Sequence, residues 1–140
     1  MKMPKPESLK RKRHGLEVLE MATVMPVVML LIFGFMEMAQ MGMSYQLVTN
    51  AAFQGCRVAV INGYTQSDVI TTAGNILSGG GIKSGNFTLV TNPANVTTSH
   101  YGDQVTVTIS VPFRQVSWLA PMLLGSTTLK SSATLSSERP

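Results

Sequence analysis

The apolar positions along the chain change their period twice, and each change marks a different element. No charged residue interrupts residues 21–36, and beyond Glu37 the apolar character resumes through Met38, Ala39, Met41 and Met43. At about 1.5 Å per residue the uninterrupted part covers roughly 24 Å of helix, short of a hydrocarbon core of about 30 Å until the methionine-rich flank is added. The pattern predicts a membrane-crossing helix. Pro26 within it cannot donate to the Ala22 carbonyl, so a bend is expected there, with the Thr23 hydroxyl taking up part of the freed group.

After the span, YQLVTNAAFQGCRVAVI stays in helical phase. Ala51, Gly55 and Ala59 recur every four residues, and Ala52 and Cys56 lie on the adjoining row. A face with so little side chain admits another backbone at close range. The chain's own sheet and a neighbouring helix satisfy that requirement equally well. Asn62, Gly63 and Tyr64 supply a helix stop, and Thr65 with Asp68 three residues on reads as a capping pair for a second short helix, to about Leu77. SGGGIKSGN is then a flexible loop.

Beyond it the period becomes two. Val105, Val107, Ile109 and Val111 alternate with Thr106, Thr108 and Ser110, the pattern of a strand with one buried face. Residues 87–91 and 127–136 are its expected partners, the latter with Leu129, Ala133 and Leu135 on one side. The apolar stretch WLAPMLLG at 118–125 is too short to cross a bilayer and reads as a lid over the sheet edge or core. The expected fold class is α+β: a long N-terminal membrane helix continuing into a small exported domain with a short second helix and an antiparallel sheet of about three strands. The division is residues 1–15 as a basic cytoplasmic leader, 16–43 as the transmembrane helix and 44–140 as the exported domain.

Charge sharpens this picture. The net charge of +4 comes from eleven basic and seven acidic residues, and six of the basic ones are Lys2, Lys5, Lys10, Arg11, Lys12 and Arg13. After residue 15, five basic residues face six acidic ones. The basicity is therefore a topology signal and not a nucleic-acid surface, and the positive-inside rule keeps residues 1–15 in the cytoplasm and sends everything after about Tyr45 across the membrane. Cys56 is the single cysteine, so no intrachain disulfide forms, and its distance from the apolar run argues against a lipoprotein. With only His14 and His100 as imidazoles, no metal site, cofactor site or catalytic triad is expected. Asp68, Asp103, Glu138 and His100 are too few and too scattered to suggest an enzyme. Two matches to the glycosylation sequon, at Asn86 and Asn95, carry no weight in a threonine-rich chain.

Glu20 stands at the start of the apolar run, where a carboxylate costs up to about 2.5–3.5 kcal/mol at a helix centre and less near the interface. Snorkelling to the headgroups is one explanation, and Glu17 a turn earlier faces water. Spacing supports another. Gly15 directly follows the basic run, Glu20 is the fifth residue after it, and the apolar stretch begins at once. This order resembles the type IV prepilin leader, which a membrane-embedded prepilin peptidase cuts after the glycine. The resemblance implies cleavage between Gly15 and Leu16, and a Glu20 carboxylate that neutralises the new amino terminus of a neighbouring subunit.

The stretch after Gly15 is similar to the TadE-like family of pseudopilins from tight-adherence (Flp) pilus systems. The residues that carry this are Glu20-Met21-Ala22, Pro26, Gly34, Glu37 and TNAAFQGCR at 49–57; VTVTISVPF and Glu138 suit the family less specifically. The resemblance implies a minor pilin or pseudopilin with assembly residues Glu20, Pro26 and Glu37. Its implied partners are prepilin peptidase, other pilins in a hetero-oligomer, the inner-membrane platform of the pilus machine and the lipid bilayer. Its place is the inner membrane, single-pass with a periplasmic or extracellular C-terminal domain, or the pilus itself. Three features depart from the pattern: Glu17 as a second carboxylate, Cys56 in place of alanine, and Leu16 where major type IV pilins carry phenylalanine. The exported domain also exceeds that of the major Flp pilin, which favours an accessory subunit. Two rivals remain. One is an uncleaved membrane-anchored extracytoplasmic binding protein; the other is a soluble domain released by a signal-peptidase cut after Ser44.

Overall fold

The computed structural model describes residues 7–117, 121 and 124–140, with side chains from residue 15 onward. Two compact units, Met1–Met36 and Glu37–Pro140, divide the chain. The first helix, α1, is Glu7–Val60 and contributes to both.

In the first unit every side chain of residues 15–33 is exposed, Leu16 at 69% and Phe35 further on at 69% among them. A soluble domain does not leave such a run of apolar surface bare, whereas lipid solvates it. Among the described residues α1 is the one helix long and apolar enough to cross a membrane, by length and composition. It continues through Pro26 without a break in helical assignment. The Thr23 hydroxyl donates to the Leu19 carbonyl at 3.0 Å and not to the Ala22 carbonyl that Pro26 leaves open. Side chains on a helix lean toward its N-terminus, so a threonine reaches back one turn to residue i−4.

The second unit is α+β. Residues 37–60 of α1 are followed by α2, Gln66–Gly79, and by strands β1, Thr88–Asn92, β2, Gln104–Pro112, and β3, Thr128–Ser136. The sheet is an antiparallel meander in the order β1-β2-β3, with Leu89 opposite Ile109 and Val107 opposite Ala133. The strand read from period two is central, and Val105, Val107, Ile109 and Val111 are all fully buried. Its neighbours lie within one residue of their expected limits. The expected lid at 118–125 falls largely outside the described residues.

Local chemistry explains the helix limits. After α1, Gly63 takes a positive φ of 92° that favours glycine. At the start of α2, Asp68 Oδ2 accepts from the Thr65 N–H and hydroxyl at 2.7 Å each, the expected capping contact. Val69, Ala73 and Leu77 of α2 face the core with no exposure. The small-residue face of α1 belongs to this same core. Ala51, Ala52, Cys56 and Ala59 are fully buried, and a Cβ on Gly55 would meet Ala73, Val69 and Val107 at 3.6–3.7 Å. Of the two uses open to that face, packing on the chain's own sheet and second helix is the one observed.

Candidate functional site

Gly15 and Glu20 lie in the first unit. A Cβ built on Gly15 meets nothing within 4 Å, so no contact in the described part of the chain requires a glycine there. Leu16 next to it is exposed at 69%. Glu17 and Glu20 are both exposed, but they differ in engagement. Glu17 has an interaction partner in its own chain, whereas Glu20 has no hydrogen bond or ion pair among the described residues. Pro26, also exposed, leaves the helical hydrogen-bond ladder open at Ala22. The surface they present is apolar, with one uncommitted carboxylate on it.

Glu37 lies in the second unit and its setting is different. Its side chain is buried, at 7% exposure, on the packed face that Met41, Ser44 and Val48 continue at helical spacing. Oε1 accepts from the Leu124 N–H at 2.7 Å. One turn on, Gln40 donates through Nε2 to the Val116 carbonyl at 3.3 Å and accepts from the Ser117 hydroxyl at 3.3 Å. A glutamate that the sequence resemblance marks for assembly is thus also an internal acceptor. Ser44 is itself buried inside the unbroken α1, a poor setting for a peptidase that needs extended chain.

The outward side of α1 in this unit carries an open concavity of about 430 Å³ lined by Tyr45, Gln46, Thr49, Asn50 and Phe53. The lining is aromatic, amide and hydroxyl side chains, and nothing in it suggests covalent or acid–base chemistry. The Cys56 thiol is buried and donates to the Val105 carbonyl at 3.3 Å, a structural contact. His100 and Asp103 approach to 3.7 Å in an exposed turn.

Arg139 is a residue that the sequence pattern did not point to. It is buried at 6% exposure and donates to the Ala59 carbonyl through Nε and Nη2, at 3.3 and 3.2 Å, and to the Tyr64 carbonyl through Nη2 at 2.7 Å. The Glu138 N–H joins it by donating to the Val60 carbonyl at 3.1 Å. The tail after β3 therefore closes the C-terminal end of α1, whose last carbonyls have no donors within the helix. The available signal was a lone cation in an otherwise polar tail.

No curated protein and no solved structure gives a match to this chain. A family model does, and it covers the apolar run with Gly15, Glu20, Pro26 and Glu37 and the small-residue face as far as Cys56, while stopping short of Ala59, α2 and the sheet. Residues 15–57 match the model described as TadE-like protein.

Proposed function

We propose that this protein is a minor pilin or pseudopilin of a Tad (Flp)-type pilus assembly or secretion system, cut after Gly15 by prepilin peptidase and assembled through its N-terminal helix. The match to the TadE-like model points to involvement in Tad pilus assembly. The observation that carries the finer reading is Glu20, an exposed carboxylate with no described partner on an otherwise lipid-compatible helix. Removal of the leader creates an ammonium at Leu16. In a neighbouring subunit that ammonium meets Glu20, and two unit charges about 4 Å apart attract by roughly 4 kcal/mol at an effective dielectric of about 20. Either charge alone in lipid is penalised, so the pair sets the register of one subunit against the next. Pro26, by opening the backbone ladder, lets the helix adjust within the bundle. The openness around Gly15 supports a peptidase as the source of the glycine requirement, because an extended chain without a side chain enters a narrow cleft most easily.

The mature N-terminus, determined with and without prepilin peptidase, tests this directly. A chain beginning at Leu16 only when the peptidase is present is expected. A chain that still begins at Met1 would return the protein to the uncleaved-anchor reading. Glu20→Ala is expected to leave cleavage intact while reducing incorporation into filaments about tenfold or more, the equivalent of 1.4 kcal/mol or above. Normal incorporation of that variant refutes the pairing role.

A further inference from the structure

The sheet of the second unit ends on β1 and on β3, and the two edges differ. β1 is short, whereas β3 runs over Thr128–Ser136 and pairs with β2 residue for residue, without a bulge. The Phe113 N–H donates to the Thr127 carbonyl, and the Ser137 N–H donates to the Asp103 carbonyl. Bonded residues alternate along an antiparallel pair, so the odd-numbered residues of β3 turn their amides and carbonyls toward β2 and the even-numbered ones turn theirs away. Among the described residues no backbone bond reaches Thr128, Lys130, Ser132, Thr134 or Ser136 from that outer side, and all of their side chains are exposed. Natural edges are blunted by proline, a bulge or charge. Lys130 is the one such device in β3. The strand TLKSSATLS also reads nearly alike in both directions about Ser132: Thr128 answers Ser136, Leu129 answers Leu135, and Ser131 answers Ala133.

We propose that the β3 edge takes the same edge of a second copy of this chain, antiparallel about Ser132, so that two sheets join into one across a twofold axis. In this register the whole length of β3 overlaps and the outward amides and carbonyls meet their counterparts, each closely spaced pair exchanging two hydrogen bonds. Lys130 lies opposite the partner's Thr134, so the lysines do not face each other, as they would in a register centred on Lys130. On the core side Leu135, half-buried in its own domain, comes to lie beside the partner's Leu129. In this unit α1 runs against the direction of β2, since Gln40 reaches Val116 past the end of β2 and Cys56 reaches Val105 near its start. A twofold axis through Ser132 reverses the partner's strands and, with them, this part of the partner's α1. The pair therefore joins copies that face one another, a contact distinct from lateral assembly through the N-terminal helix, and it depends neither on leader cleavage nor on that assembly.

The test is disulfide cross-linking of the full chain in detergent micelles under mild oxidation, with wild type as the blank because its Cys56 thiol is buried. Residues facing each other in a bonded antiparallel pair have Cα atoms about 5.5 Å apart, within the disulfide range of roughly 4.4–6.8 Å. Ser132→Cys is expected to form dimers at least about tenfold faster than Val90→Cys, an exposed position on the β1 edge. Adding Thr134→Lys places lysines opposite Lys130 in both halves of the pair and should slow that reaction about tenfold, and Lys130→Glu on top of it should restore the rate. A mixture of Lys130→Cys and Thr134→Cys chains should cross-link between the two kinds faster than within either, which keeps the register testable if Ser132→Cys misfolds. Equal rates at Ser132→Cys and Val90→Cys overturn the pairing, as does faster linkage between those two variants than within Ser132→Cys, the mark of a head-to-tail contact. A rate indifferent to Thr134→Lys overturns the register. Unprocessed N-termini or poor incorporation into filaments bear on the proposed function alone.

Discussion

Arg139→Ala removes the guanidinium that closes the C-terminal end of α1. Its donors reach two carbonyls, Ala59 at 3.2–3.3 Å and Tyr64 at 2.7 Å. The two contacts at Ala59 share one acceptor and count as one interaction. A hydrogen bond from a charged donor contributes about 1.5–3 kcal/mol, and the cation also faces the negative end of the helix dipole. Part of this is offset because the variant no longer desolvates a charge. The net expectation is a loss of about 2–4 kcal/mol, a large share of a typical stability of roughly 5–15 kcal/mol. For a unit of this size each kcal/mol moves the midpoint by about 4–8 °C, so a fall on the order of 10–20 °C is expected. The assay is thermal unfolding of the full chain in detergent micelles, followed by near-ultraviolet circular dichroism of the tyrosines, which reports tertiary packing. Arg139→Lys, a single point donor in place of a planar fork, should recover only part of the loss. A midpoint for Arg139→Ala within about 2 °C of wild type would refute the closure.

Two further outcomes follow from the same unit. Gly55→Ala should hold or raise stability by up to about 1 kcal/mol in chemical denaturation, because its Cβ meets ordinary contacts at 3.6–3.7 Å and helix propensity improves; a marked loss would mean the face is tighter than described. The Thr65 hydroxyl, and after it the Thr65 N–H, holds the Asp68 carboxyl below the usual carboxylate range. Since the folded value is depressed, that contribution is present above the unfolded pKa of about 4 and disappears as pH falls through the folded value. Amide exchange in the first turn of α2 should therefore differ between wild type and Asp68→Asn at neutral pH and converge in acid. A difference that persists unchanged at low pH contradicts the cap.

What the sequence made legible was whatever its own neighbours determine. The alternation at 105–111 gave the central strand, because one buried face needs nothing but period two to be recognised. Thr65 and Asp68 gave the start of α2, because the contact spans three residues. The small-residue row at Ala51, Gly55 and Ala59 showed that something packs closely there, but not what, since a helix partner and a sheet place the same demand on side-chain size. Arg139 was invisible for the opposite reason: its acceptor on Ala59 is 80 residues away in the chain. Gln40 and Ser117, 77 residues apart, were hidden in the same way. The Thr23 contact was misassigned by geometry and not by distance, since the Ala22 carbonyl lies in the wrong direction for a side chain that leans toward the N-terminus.

The placement of ionisable groups in α1 separates two kinds of requirement. Glu37 is buried and its oxygen already accepts from Leu124, so its presence is explained within one folded unit, whatever else it does. Arg139, similarly, is explained by carbonyls of its own chain. Glu20 is the exception, because nothing described in the chain compensates it, and Gly15 is another, because nothing described in the chain needs it to be small. Residues whose chemistry the fold does not use are the ones to attribute to other molecules. By that criterion Gly15 and Glu20 are the residues on which the proposed cleavage and subunit pairing rest, while the small-residue face, which suits assembly equally well by its sequence, is occupied by its own domain.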